Sequence, residues 1–83
     1  MNIEKETFIK SMEDWIASKC GFDKKEFNTQ TDLVGSGILD SLKLILFYSH
    51  AENLSGSIIN ARKIESLEAV SIDAMYQILS SEN

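Results

Sequence analysis

Eighty-three residues, 43% hydrophobic and 25% charged, make one ordered domain that is too small to build a deep catalytic cleft with its own supporting shell. A net charge of −5 and a pI near 4.7 weigh against nucleic acid, whose binding needs lysine and arginine to displace counterions, and favour basic surfaces on protein partners. Cys20 is the single cysteine, so no internal disulfide can form, and no basic-then-apolar leader or run of roughly 20 apolar residues is present; a cytoplasmic protein without a membrane span is expected.

From Ile3 to Cys20 the apolar residues Phe8, Ile9, Met12, Trp15, Ile16 and Cys20 recur at helical spacing, with charged residues between them. That pattern predicts a first amphipathic helix. Gly21 is its stop, and Lys19 suits the negative end of the helix dipole. The stretch from Phe22 to Leu39 is polar with isolated apolar anchors, which predicts a long ordered loop bending at Gly35-Ser36-Gly37. Loops of that length inside a small domain usually serve a function.

A second helix is predicted from Asp40, a good N-cap, through LKLILFYSHAENL to Gly56. Its residues Leu42, Leu44, Ile45, Leu46, Phe47, Tyr48, Ala51 and Leu54 cannot share one face, so it is either nearly buried or leaves apolar surface outside the core. Arg62 to Ala69 can hold two short turns. Ser71 caps a final helix whose apolar side is Ile72, Met75, Tyr76, Ile78 and Leu79.

Asp40-Ser41-Leu42 carries the chemistry. A serine at the first turn of a helix lies beside free backbone N–H groups and the positive dipole end, where a phosphate ester is favoured. A carboxylate at position 40 could hold magnesium beside an incoming phosphate. On those three residues alone, a capped helix start is the simpler reading.

The wider segment Gly37-Ile38-Leu39-Asp40-Ser41-Leu42 resembles the attachment motif of acyl and peptidyl carrier proteins, and the order and spacing of the predicted helices resemble that family over most of the chain. The resemblance implies an all-α four-helix bundle of acyl-carrier type, with three longer helices and a short third one, as a single domain over residues 1–83. It implies 4'-phosphopantetheine attached to Ser41 by a phosphopantetheinyl transferase that recognises Asp40 and its magnesium. The arm would then carry an acyl or aminoacyl thioester between an activating ligase and downstream acyl-processing enzymes. The chain would be a monomer and not itself an enzyme. Leu42, Ile45 and Leu46 are the expected docking patch, because the second helix is the family's partner-facing element.

One departure stands out. The second helix holds Lys43, His50 and only Glu52 where fatty-acid carriers are acidic, which resembles carriers served by adenylate-forming ligases or modular synthases and points to docking through apolar contact. The alternative function is an unmodified interaction module of the same fold.

Other residues read as structural. Trp15 and Cys20 are expected in the core. A hydrolytic pair of Ser41 and His50 is excluded on a continuous helix, where nine residues span about 13 Å. Gly35-Ser36-Gly37 lacks the lysine of a phosphate-binding loop, and Arg62 with Lys63 is too small a basic pair for nucleic acid.

Overall fold

The computed structural model describes residues 3–65 and 69–81, the side chains of Ala61 and Ser81 excepted. Four α-helices follow one another: α1 over Lys5–Cys20, α2 over Ser41–Ser55, α3 over Ala61–Glu65 and α4 over Ile72–Ser81. Three are long and α3 is short, as expected, although its described part is nearer one turn than the two expected, and no strand occurs among the described residues. Of the expected third-helix segment, residues 66–68 lie outside the described residues.

Helix boundaries follow local chemistry. α1 and α2 both end on glycines in the left-handed region, Gly21 at φ 75° and Gly56 at φ 71°, a conformation that strains any residue with a Cβ. At the start of α4, Ser71 Oγ accepts the Ala74 N–H at 3.1 Å. The loop after α1 contains one element the sequence reading did not anticipate, a 3-10 turn at Lys24–Glu26. Asp23 and Glu26 form its capping box, each side chain satisfying the other's backbone N–H. The signal is a D-x-x-E spacing too short to register as helical periodicity.

The core draws one stripe from each long helix. Phe8, Met12 and Ile16 of α1, Phe47 and Ala51 of α2, and Ile72, Met75, Ile78 and Leu79 of α4 are buried together. The loop contributes Phe27, Leu33, Ile38 and Leu39 to the same cluster. Two long-range connections hold it against the start of α4: Leu33 N–H donates to the Val70 carbonyl at 2.8 Å, and Asp73 N–H donates to the Thr29 carbonyl at 3.0 Å. The loop is therefore part of the fold, and the backbone groups of Leu33, Val70, Thr29 and Asp73 are satisfied where it meets α4.

Candidate functional site

The site is built around the junction of this loop with α2. Asp32 organises the last turn before it: its Oδ1 accepts the Gly35 N–H at 2.9 Å and its carbonyl accepts the Ser36 N–H at 2.9 Å. The segment expected to be a flexible bend is a hydrogen-bonded turn, in which a Cβ on Gly35 would have to displace the Asp32 carboxylate from its place on the Gly35 N–H. Gly37 N–H then donates to Val34, and Leu39 N–H to Leu33 at 2.8 Å. Ile38 and Leu39 are buried at 6% and 2% exposure, so two apolar anchors immediately precede the helix.

Asp40 caps α2 as expected. Its Oδ1 accepts the Lys43 N–H at 2.8 Å while its carbonyl accepts the Leu44 N–H at 2.9 Å. Ser41 follows at the first helical position, exposed, and its hydroxyl makes no hydrogen bond among the described residues. The N–H groups of Ser41 and Leu42 lie ahead of the first intrahelical bond and point out of the helix start. An exposed serine hydroxyl is thus displayed at the helix start beside two backbone donors that make no intrahelical bond.

Beyond Ser41, α2 divides by face. Phe47 and Ala51 are fully buried, Leu44, Tyr48 and Leu54 are half-buried, and Leu42, Ile45 and Leu46 are 68%, 62% and 50% exposed. Apolar surface does remain outside the core, contiguous with Ser41. Leu42 and Leu46 line a cleft of about 450 Å³ between α1 and α2, while Ile45 is not among its lining residues. Trp15, Lys19, Lys43 and His50 also line it.

Trp15, expected in the core, sits at its edge instead. It is half-buried, tilted against Phe47 at 6.0 Å between ring centroids, and stacked on His50 at 5.6 Å. The indole lies between α1 and α2 against Phe47 and His50 and is only partly covered. The signal was present in Trp15 and Lys19, one helical turn apart on α1, but nothing in the sequence pairs that turn with α2. Burial pushes the His50 imidazole below its ordinary pKa of 6.5, against a weaker upward effect of the Ser11 carbonyl, so His50 is neutral at pH 7. α2 is unbroken from Ser41 to Ser55, and the serine and histidine remain too far apart to act together.

Cys20, at the end of α1, is half-buried beside this junction. Burial raises its thiol pKa, with Lys43 lowering it and Asp40 raising it, which fixes the end of α1 next to the start of α2. No helix among the described residues is long and apolar enough to cross a membrane. No family model, curated protein or solved structure matches the chain.

Proposed function

We propose that this chain is a carrier protein in which Ser41 is the attachment point of a 4'-phosphopantetheine arm. The observation that supports this most strongly is the display of Ser41: an exposed, unengaged hydroxyl at the first position of α2, on a junction held by Asp32, Ile38, Leu39 and the Asp40 cap. A catalytic serine would need a base within hydrogen-bond reach, and the only histidine is nine residues along the same helix.

The residues fit the group. The free N–H groups of Ser41 and Leu42 and the positive end of α2 favour a phosphodiester on the Ser41 oxygen. Asp40 is exposed and spends one carboxylate oxygen on Lys43 N–H, which leaves the other to face a magnesium ion held with coenzyme A by the transferase. In the attachment step the Ser41 oxygen bonds to the phosphorus nearest pantetheine, the diphosphate bridge of coenzyme A breaks, adenosine 3',5'-bisphosphate leaves, and the hydroxyl proton passes to a base of the transferase. Once attached, the arm supplies a terminal thiol that holds an acyl or aminoacyl group as a thioester. The chain contributes a surface that partner enzymes recognise and a high local concentration of cargo at their active sites. Leu42, Ile45 and Leu46 are the residues for that contact, and the activating ligase and acyl-processing enzymes are the partners.

Incubation with coenzyme A, magnesium and a broad-specificity phosphopantetheinyl transferase tests the reading by intact mass, with Ser41→Ala as the control. A second reading, an interaction module that is never modified, is favoured by the exposed apolar patch on α2, which would serve a partner whether or not Ser41 carries an arm. Absence of any mass gain on folded protein selects it.

A further inference from the structure

The net charge and the local charge of this molecule disagree, and the disagreement falls on the partner-facing helix. The chain carries −5, yet α2 contains one carboxylate, Glu52, and that group is spent inside the fold: its Oε2 accepts the Ile59 N–H at 2.8 Å and ties the end of α2 to the segment before α3. Asp40, just ahead of the helix, is half committed to its cap. The charged side chains lining the cleft are the ammonium groups of Lys19 and Lys43, and the imidazole between them and the helix end is neutral. The Lys24–Asp14 ion pair involves neither cleft lysine, and neither is paired with a carboxylate among the described residues. Trp15, Leu42 and Leu46 give the same cleft an apolar lining.

We infer that the cleft between α1 and α2 docks a partner protein through an apolar helix face flanked by carboxylates, with Trp15, Leu42 and Leu46 receiving the apolar side chains and Lys19 and Lys43 the acids. The cleft is open along the helix and has the form that accepts an amphipathic segment lying in a groove. Its charge complements an acidic rim, not the basic one that the chain's overall charge would attract. A basic partner surface would meet two ammonium groups there and no free carboxylate of α2. The inference rests on α2 being the partner-facing helix and does not require modification of Ser41.

Two synthetic helical peptides without tryptophan, one of alternating leucine and glutamate faces and one with lysine replacing every glutamate, are titrated into the unmodified chain, and the emission of Trp15, its only tryptophan, is followed. The glutamate peptide is expected to give a saturable change and the lysine peptide a markedly weaker one, although net charge alone would order them the other way. Added salt should weaken the glutamate complex. The Lys19→Glu, Lys43→Glu double variant, with its fold checked by circular dichroism, should weaken it about tenfold or more. Ser41→Ala should bind like the wild type, so that failure of this titration and failure of the modification assay are separate results. Equal or tighter binding of the lysine peptide, indifference to salt, or no response to either peptide overturns the inference. Saturation by octanoate below its micelle concentration, with no peptide response, also overturns it and assigns the cleft to a small apolar acid.

Discussion

Asp40 acts twice at the start of α2, as a helix cap through Lys43 N–H and as an exposed charge beside Ser41, and the two roles separate by substitution. Asp40→Ala loses both and should cost about 1 kcal/mol in urea unfolding. Asp40→Asn keeps a good cap, so stability should stay near wild type while the initial rate of modification by the transferase falls. Equal rates for Asp40→Asn and wild type would mean that the carboxylate matters only as a cap. His50 makes a pH prediction. Its folded pKa lies below the ordinary 6.5, so below that pH the unfolded chain binds the proton first and stability falls, until the folded imidazole itself titrates and the loss levels off. In unfolding measured from pH 7.5 to 5, His50→Gln should flatten that part of the profile. An unchanged slope would place its origin in other groups.

At the scale of the element, α2 serves the core with one face and leaves apolar surface on the other. Phe47→Ala removes a fully buried ring and should cost about 3–5 kcal/mol. Leu46→Ser, half-exposed, should change stability by no more than about 0.5 kcal/mol while weakening the glutamate-peptide complex. Comparable losses of stability from the two would contradict the division of faces. That α2 would leave apolar surface exposed could be read from its sequence, since eight apolar residues in fifteen exceed what one face holds. The caps at Asp40, Gly21 and Ser71 were equally legible, because capping depends on residues within a turn of one another. The 3-10 turn at Lys24–Glu26 was not, since three residues carry no periodicity. Nor was the edge position of Trp15, which depends on how α1 meets α2 and so on contacts far apart in sequence.

For the molecule as a whole, the loop does most to join local reading to function. Residues 22–39, read from sequence as a long ordered loop, are largely exposed but anchored in the core by Phe27, Leu33, Ile38 and Leu39 and hydrogen-bonded to the start of α4 on the way to Ser41. The charge was legible only as a sum. Its distribution depends on Glu52 accepting the Ile59 N–H and on Lys19 and Lys43 lining one cleft, neither of which a linear sequence shows. The candidate serine itself needed no structure to find, but its unengaged hydroxyl and rigid footing did. Whether Ser41 is the chain's working residue is decided by the intact mass of folded protein after the transferase reaction, followed by fragmentation of the peptide that contains Ser41. A gain of one phosphopantetheine, located on Ser41 and absent from Ser41→Ala, is expected. No gain on folded wild type, or an equal gain on Ser41→Ala, would contradict it.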